Sequence, residues 1–413
     1  MVELLGKSKE ELREFCVALG EPAYRGGQIY HTLYAEKRFD VACMTNLPAL
    51  LRDRLAREGK ITLPEVKQRF VSADGSVRYL LGLDEKKINT KHAEKGSTED
   101  AEKSGKSAGQ KIYLQQTPTS VEAVFMPSEG RQTICISTQA GCAVDCHFCL
   151  TAQLGLIRNL TAGEIVAQVL VALKGQESGK AAKDVKLPNK AAGTQKPRKP
   201  ARTTQTPDPI QTNVVLMGQG EPLLNFEPVM AAVRILLDSE GMGLSPKHVT
   251  LSTSGIVPGI ERLGQEKVRP KLAISLNASN DEQRDKLMPI NKKYPLRTLL
   301  EACKNYPLRS WEHLTFEYVM LGDVNDSRED ARRVVRLLAP LKRVKVNLIP
   351  WNPGELPYRE SSPERIEEFR HILSDKGVPA FVRYSRGRDV MAACGQLALL
   401  DVSGQSGLVS IAT

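Results

Sequence analysis

TICISTQAGCAVDCHFC, residues 133–149, joins a short apolar run to a loop that carries three cysteines. Cys142, Cys146 and Cys149 supply thiolates, the ligand type that suits iron and sulfide. Three thiolates hold a four-iron cluster and leave one iron open. Structural zinc sites usually close with four ligands, and His147 lies too tightly between two of the cysteines to serve as the fourth. The stretch therefore predicts a reactive iron-sulfur cluster.

Length and composition indicate a globular protein that acts on an anionic partner. The 413 residues suffice for two or three domains with a substantial core. The sequence shows no apolar signal segment and no long apolar run, so we expect a cytoplasmic protein without membrane contact, whose eight cysteines need not pair. The formal net charge of +10 favours RNA as the partner.

Much of that positive charge lies in one low-complexity stretch near 174–211. Residues 174–202 contain nine Lys or Arg against Glu177 and Asp184, and this composition cannot form a core by itself. A second polar stretch near 84–111 mixes both signs with Gly and Ser. We interpret both as insertions. Either could be solvated padding, and the basic one could also contact RNA nonspecifically.

The first 60 residues predict a small helical module. KSKEELREFCVALG has apolar residues at helical spacing, with Ser8 as N-cap and Gly20 as the stop signal. A second helix is predicted over residues 25–34 and a third within LPALLRDRLAREG. Basic side chains on these helices are compatible with phosphate contact, and equally with a solvated face.

The pattern changes after residue 60. Residues 61–127 alternate apolar and polar side chains around an Asp-Gly turn, which predicts a small antiparallel β unit. Across residues 128–395, β-rich runs such as NVVLM, LAISL and KVNLIP alternate with helical patterns, and residues 396–413 form a C-terminal tail. This rhythm predicts an α/β fold with a parallel sheet, a partial (β/α)6 barrel of about six units.

Five chemistry-bearing segments follow predicted strands of this barrel. They are the cysteine loop, GQGEP at 218–222, Ser252 in LST, SLN at 275–277, and Asn352 in PWN. In parallel barrels the active site lies at the C-terminal ends of the strands. We therefore expect all five segments to converge on one face.

GQGEP is suited to a ligand that carries an amino group. Gly218 and Gly220 allow close backbone approach, and Glu221 offers a carboxylate for an ammonium group, although an ordinary turn with a solvated Glu is the alternative. Beside a cluster with an open iron, S-adenosylmethionine fits because its amino and carboxylate groups can chelate that iron.

The motifs together resemble a known family. CISTQAGCAVDCHFC, TAQLGLIRNLT, MGQGEPLLN, LSTSGIVPGI, LMPINKKYPL, NLIPWNP and ACGQL resemble the radical S-adenosylmethionine enzymes of the RlmN type, dual-specificity adenine-C2 RNA methyltransferases. YRGGQI and MTNLP extend the similarity into the helical module. It covers nearly the whole chain, except for the two polar insertions and the C-terminal tail.

The resemblance implies a 4Fe-4S cluster on the three cysteines and a set of residues that bind S-adenosylmethionine. The family commonly has His where this chain has Asn277, so this side chain keeps hydrogen-bonding capacity but cannot supply an imidazole. A contact through its backbone would survive the change. The implied S-adenosylmethionine residues are Gly220, Glu221, Ser252, Ser275, Leu276, Asn277 and Asn352.

The resemblance also implies how an unreactive carbon is methylated. C2 of adenine is electron-poor and cannot attack a sulfonium methyl directly. In the family, Cys394 takes a methyl from one S-adenosylmethionine, a 5′-deoxyadenosyl radical from a second one activates that methyl, and the resulting methylene radical adds to C2. Cys135 then releases the product through a transient disulfide with Cys394. Glu122 matches the proton acceptor, and an exposed strand glutamate is the alternative.

The implied substrates are adenosine 2503 of 23S rRNA and adenosine 37 of tRNA. A flavodoxin-type reductant would feed the cluster, and we expect a monomer. Two alternatives stay open: a C8-methylating enzyme of the related Cfr type, and a noncatalytic iron-sulfur or zinc protein that binds RNA. The remaining cysteines singled out, Cys16, Cys43 and Cys303, are predicted to be buried apolar residues.

Overall fold

The computed structural model describes residues 1–83, 120–177, 184–185, 210–354 and 356–397. Most of the two predicted insertions and of the C-terminal tail therefore lies outside the described residues. No helix in the part described is long and apolar enough to cross a membrane.

The helical module has the three helices that the periodicity predicts. The Ser8 side chain accepts a hydrogen bond from the backbone N–H of Glu11, whose carboxylate accepts one from Ser8 N–H, so a capping box starts the first helix. Gly20 has a φ of 75° just beyond its end. The elements are β1 Val2–Glu3, α1 Lys9–Ala18, α2 Tyr24–Tyr34, α3 Ala49–Glu58 and β2 Gly59–Lys60.

The three cysteines predicted to be buried differ in environment. Cys16 and Cys303 are buried as predicted. The prediction for Cys43 is wrong, because this residue ends a single 3-10 turn, Val41–Cys43, that lies on the surface and has no buried face. Its sulfur lies 3.6 Å from a carboxylate oxygen of Asp40.

The predicted antiparallel β unit is continuous with the barrel sheet. The strands that follow the module are β3 Glu65–Val71, β4 Val77–Gly82, β5 Ser120–Ser128 and β6 Arg131–Cys135. They pair antiparallel in sequence order, and Val124 in β5 faces Cys135 in β6. The first barrel strand is therefore held on one side by this β unit.

Seven parallel strands form the barrel sheet, and helices follow the first six. The order is β6, β10, β11, β12, β13, β14, β15, and within the described residues β15 does not close onto β6, so the barrel is partial, as predicted. The remaining strands are β7 Gln139–Gly141, β8 Leu156–Asn159, β9 Asp184–Val185, β10 Gln211–Leu216, β11 Val249–Thr253, β12 Lys271–Ser275, β13 Leu314–Met320, β14 Val344–Pro350 and β15 Ala380–Val382. The helices are α4 Leu150–Gln153, α5 Ala162–Glu177, α6 Phe226–Leu237, α7 Val257–Gln265, α8 Asp281–Leu287, α9 Leu296–Asn305, α10 Arg328–Leu338 and α11 Pro363–Asp375.

Alternation along each barrel strand separates the core from the lumen. In β14 the side chains of Val346 and Leu348 are fully buried in the main hydrophobic core, which contains residues of α10 and α11. Lys345 and Asn347, which alternate with these two residues along the strand, line a cavity in the lumen. Because side chains of a strand point alternately to opposite faces, the same pattern repeats on neighbouring strands and defines a polar lumen.

Candidate active site

A short hairpin fixes the cysteine loop. β7 pairs with β8, and Cys142 N–H donates to the carbonyl of Gly155 at 2.9 Å. Gly141 has a φ of 72°, and a Cβ there would lie 1.8 Å from the Gly155 carbonyl oxygen, so only glycine fits. The loop then folds so that Cys149 N–H donates to the carbonyl of Cys146. The sequence thus places three thiols at the C-terminal end of β6.

All three thiols line one cavity of about 150 Å³, which we call the cysteine cavity. His147 is exposed and does not line it. The five segments that were expected to converge do so. Leu276 is the exception, because its side chain is fully buried in the hydrophobic core. The predicted residues that line the cavity are Cys142, Cys146, Cys149, Gly220, Glu221, Ser252, Ser275, Asn277, Asn352 and Cys394.

The donor set suits a cluster better than a single ion. Burial raises the pKa of Cys142 to about 12 and also raises the pKa values of Cys146 and Cys149, so the thiolates need nearby positive charge, which bound metal supplies. Within the described residues, no three His, Cys, Asp or Glu side chains converge closely enough to hold one ion. A four-iron cluster instead distributes its cysteine ligands over different irons.

Arg284, which the sequence reasoning missed, is a fully buried cation beside this loop. Its guanidinium donates to the carbonyls of Ser254 at 2.7 Å, Ser275 at 3.1 Å and Leu276 at 3.2 Å, and so ties together the ends of β11 and β12. Burial lowers the pKa of Arg284 to about 10, and the neighbouring Cys146 opposes that shift. The arginine therefore supplies positive charge next to the thiolates.

Glu221 is held rigidly at the cavity wall. One carboxylate oxygen accepts hydrogen bonds from the Ser254 N–H and hydroxyl at 2.7 Å each, and the other accepts from Leu223 N–H at 3.0 Å. Burial raises its pKa despite these bonds. Gly220 precedes it with a φ of 96°, and a Cβ there would lie 2.5 Å from Gln139 Cβ. The carboxylate keeps lone pairs for a cationic ligand.

Asn277 lies in an unusual backbone position. Its φ is 55°, in the left-handed region that asparagine tolerates better than most residues. The side-chain oxygen accepts from Val319 N–H at 2.8 Å, and the backbone carbonyl accepts from the Asn325 side chain at 2.8 Å. The side chain thus fastens β12 to β13 while it also lines the cavity.

The Cys394 segment, residues 385–397, is fastened across the cysteine loop. Leu150 N–H donates to the Gly395 carbonyl at 2.8 Å, and the Thr151 hydroxyl donates to the Leu397 carbonyl at 2.5 Å. The Asn352 side chain donates to the Cys394 carbonyl at 3.3 Å and to the Ser385 hydroxyl at 2.9 Å. Asn352 therefore positions the reactive segment as well as lining the cavity.

Cys394 lies where the cysteine cavity meets a second one. This lumen cavity, of about 430 Å³, runs down the inside of the barrel, and both Cys394 and Cys135 line it. The Cys394 side chain is exposed into the cavities, yet surrounding protein desolvates it and raises its pKa to about 12. Burial also raises the pKa of Cys135, and a charge on either thiol disfavours a charge on the other.

Glu122, the predicted proton acceptor, does not line either cavity. It is fully buried and paired with Arg78, which is also fully buried and stacks on the ring of Phe70. The Gln219 side chain donates to Glu122 at 3.3 Å and links it to the turn of GQGEP. The described structure thus brings Glu122 near the site through Gln219 rather than directly to the thiols.

Glu317, which the sequence reasoning also missed, lines both cavities. Its carboxylate accepts a hydrogen bond from the Ser252 hydroxyl at 2.7 Å. Burial raises its pKa, and its charge raises the pKa values of Cys394 and Cys135. The signal available in the sequence was a lone glutamate in the apolar run LTFEYVM.

Two family models match the chain. The ribosomal RNA large subunit methyltransferase N-terminal domain matches residues 2–61, and the radical SAM superfamily matches residues 194–337. The first match coincides with the helical module. The second begins within the predicted basic insertion and covers strands β10 to β13.

Full-length relatives are similar across the chain. A probable dual-specificity RNA methyltransferase RlmN of Koribacter versatilis is 46% identical over 385 residues, which is 92% of this chain and 96% of the relative. The dual-specificity RNA methyltransferase RlmN of Paracoccus denitrificans is 42% identical over 416 residues, 99% of this chain and 93% of the relative. The crystal structure of a radical SAM methyltransferase from Sphaerobacter thermophilus superimposes with a TM-score of 0.76 at 37% identity, covering 96% of this chain and 99% of that one.

Proposed function

The chain belongs to the RlmN family of radical SAM RNA methyltransferases, and from this membership we propose that it methylates C2 of adenine. The proposed targets are adenosine 2503 of 23S rRNA and adenosine 37 of tRNA. The observation that carries the proposal is that Cys394 lines both cavities and that Cys135 lines the lumen cavity with it. A merely structural metal site would not require two free thiols there.

The residues of the cysteine cavity fit the cofactors of the superfamily. Cys142, Cys146 and Cys149 would hold the 4Fe-4S cluster, and Glu221, Ser252 and Asn352 are among the polar groups that would hold S-adenosylmethionine. When bound, these cofactors supply a methyl group for Cys394 from one S-adenosylmethionine and, after one-electron reduction, an organic radical from a second. A flavodoxin-type donor is the proposed electron source.

Glu317 would receive the proton that Cys394 must lose before it accepts a methyl group. A thiolate and a carboxylate in the same buried space repel each other, as the raised pKa of Cys394 reports. Transfer of the thiol proton to Glu317 removes that repulsion, because the carboxyl becomes neutral as the sulfur becomes charged. The thiolate sulfur can then form the bond to the methyl carbon.

Cys135 would complete the reaction by releasing the product. Once the Cys394 methylene is bonded to C2, the proton on C2 must leave, and the family resemblance assigns it to Glu122. Attack by the Cys135 thiolate on the Cys394 sulfur forms the disulfide and breaks the carbon–sulfur bond, and the freed methylene carbon takes up a proton to become the methyl group of methyladenine. The unpaired electron that radical addition leaves on the adduct would return to the one-electron donor that supplied it. An external thiol reductant then restores both cysteines.

The domain boundaries near residues 60, 127 and 395 belong to the same proposal. The helical module would hold RNA against the barrel, and the enzyme would act as a monomer. The family match over residues 2–61 supports a role for the module as a unit.

The test is anaerobic reconstitution with iron and sulfide, followed by turnover with S-adenosylmethionine, a reductant, and rRNA or tRNA. Mass spectrometry of the digested RNA should detect 2-methyladenosine. Detection of 8-methyladenosine would instead assign the Cfr-type reaction, and a cluster-loaded protein that forms neither product would contradict the proposal.

A further inference from the structure

The lumen below Cys394 is hollow, which is unusual for a barrel. Barrel interiors are ordinarily filled by layers of apolar side chains. Here the inward positions near the N-terminal ends of the strands are polar, including Lys271, Thr315 and Lys345, and they surround about 430 Å³. That volume is within the range of ligand pockets.

The charges that line this cavity are strongly unbalanced. In the part of the chain that the structure describes, no carboxylate lies within ion-pair distance of Lys271 or Lys345. Burial lowers the pKa of both lysines. The charge of Lys345 lowers the pKa of Lys271 further, with Glu312 opposing that shift, and the charge of Arg383 lowers the pKa of Lys345 further. Glu317 is the single acidic residue among the described lining residues, and it is already bonded to Ser252. Desolvated cations without partners destabilise the protein unless an anion joins them.

The lower lumen and its rim also carry the features of a nucleic-acid site. Arg131, Arg383 and Arg386 line the cavity together with Tyr384, whose side chain is 63% exposed. Proteins that bind single-stranded nucleic acid combine a cationic groove with exposed aromatic rings on which bases stack. This combination favours a polynucleotide over a free inorganic anion.

The strand register gives the distance along the barrel between the two lysines and Glu317, which lines both cavities together with Cys394. Lys345 pairs with Thr315, two residues before Glu317, and therefore lies about 7 Å along the barrel from the level of Glu317. Lys271 lies a further two residues down, since Ala273 pairs with Thr315. The cavity that Cys394 lines thus extends to both lysines and has room there for the sugar and phosphate of a nucleotide.

We propose that Lys345 and Lys271 bind the phosphodiester backbone of the RNA beside the target nucleotide, so that the flipped nucleotide occupies the lumen of the barrel. This inference rests on the proposed function, because it presumes that RNA is the substrate. It divides the site into an upper half that holds the cofactors and a lower half that holds the RNA strand.

The test compares Lys345→Ala and Lys271→Ala with Lys345→Arg and with Lys342→Ala, an exposed lysine three residues away that lines neither cavity. Reconstituted enzyme is titrated with a labelled RNA hairpin that contains the target adenosine. Each lumen variant should bind about tenfold more weakly. The slope of log K against log salt should fall by about 0.7 for each lost phosphate contact. Lys345→Arg should bind within about threefold of the parent, since it keeps the charge.

An uncharged methylphosphonate in place of one phosphate tests the contact with Lys345 at that phosphate alone. We expect one of two modified RNAs, with the methylphosphonate on the 5′ or on the 3′ side of the target adenosine, to bind the parent and Lys345→Ala equally well. In that RNA the interaction with Lys345 is already absent. Equal binding by Lys345→Ala, Lys271→Ala and Lys342→Ala would overturn the proposal, as would an undiminished effect on both modified RNAs. A parent enzyme that neither binds nor methylates the hairpin would instead contradict the proposed function. Loss of S-adenosylmethionine cleavage without RNA in the lumen variants would also overturn the proposal, because it would assign the lysines to the cofactor half.

Discussion

The two cavities that meet at Cys394 differ in how completely their polar groups are satisfied. Around the cysteine cavity, Glu221, Asn277 and Arg284 are each held by two or more hydrogen bonds to neighbouring protein groups. In the lumen cavity, Lys271 and Lys345 have no carboxylate partner within the described residues. The polar groups around the cysteine cavity are therefore oriented before any ligand binds. The lumen cavity requires a bound anion to balance its positive charge.

This difference matches the ligands proposed for each half. A small cofactor of constant shape is bound best by polar groups that are already oriented. A polynucleotide varies in sequence and is held mainly by charge on its phosphates. Changes near the cysteine cavity should therefore affect chemistry, and changes in the lumen should affect RNA affinity.

Removal of the Cys394 sulfur, at the residue that lines both cavities, should have the largest effect on RNA methylation. Cys394→Ala leaves no atom to carry the methyl group, so 2-methyladenosine should fall below detection in the mass spectrum of digested RNA. The matched control is Cys303→Ala, a buried cysteine on α9 that lines neither cavity, and it should keep most of the activity. Product formation by Cys394→Ala would mean that methyl transfer does not pass through this sulfur.

Replacement of the second thiol, Cys135, should separate formation of the bond between Cys394 and RNA from its cleavage. Cys135→Ala should still form the bond between Cys394 and RNA but should not break it, so a protein–RNA adduct should accumulate. Denaturing gels before and after nuclease treatment would detect the shifted band. The double variant Cys135→Ala, Cys394→Ala should give no band, and normal turnover by Cys135→Ala would refute the release step.

The two buried glutamates offer a finer comparison. Glu317→Gln removes the acceptor for the thiol proton, so methylation of Cys394 by S-adenosylmethionine should slow about 100-fold. Glu122→Gln should leave that step within about threefold of the parent, because Glu122 lines neither cavity. Mass spectrometry of the protein, in the absence of RNA, measures this methylation directly.

The two glutamate variants should differ in the opposite sense in protein stability and in product release, where Glu122→Gln should have the larger effect. Glu122→Gln removes the carboxylate that pairs with the buried Arg78, which should cost about 3 kcal/mol of unfolding free energy. It should also slow product formation after Cys394 is methylated. If Cys394 is methylated at the parental rate in the Glu317→Gln variant, Glu317 is not the acceptor of the thiol proton.

The sequence predicts the upper half of the site well because its chemistry depends on residue type and spacing. Three close cysteines, GQGEP and the residues after each strand can be recognised without coordinates, and all but Leu276 of the predicted residues beyond β6 line one cavity. The helices, the Asp-Gly hairpin and the partial barrel also follow from periodicity.

The lower half could not be predicted, because it depends on strand register and on the direction of side chains. Lys271 and Lys345 are separated by more than seventy residues and become neighbours only when β12, β13 and β14 pair. Glu317 is one glutamate among many until burial beside Cys394 changes its pKa. Cys43 shows the reverse case, since a short surface turn has no apolar face to bury a thiol.

The smallest expected effect is on the free energy of unfolding, and it comes from the hydrogen bonds that attach the Cys394 segment to the β unit. Asp74, in the turn between β3 and β4, accepts a hydrogen bond from Gly387 N–H at 3.1 Å, and Asp389 accepts from the Ser72 hydroxyl at 2.6 Å. Burial alone would raise the pKa of Asp74, but hydrogen bonds from Ser76, Gly387 and Ser72 outweigh it, and the pKa is lowered.

A lowered pKa means that the ionised form of Asp74 stabilises the folded state above the ordinary aspartate pKa of about 3.9, and that this stabilisation is lost as pH falls through the folded-state pKa. Because the side chain is exposed, Asp74→Asn should cost less than about 1 kcal/mol at pH 7. Urea denaturation at pH 7 and below pH 4 should show the difference from the parent shrinking on acidification. A difference that grows at low pH would mean that Asp74 does not act through its charge.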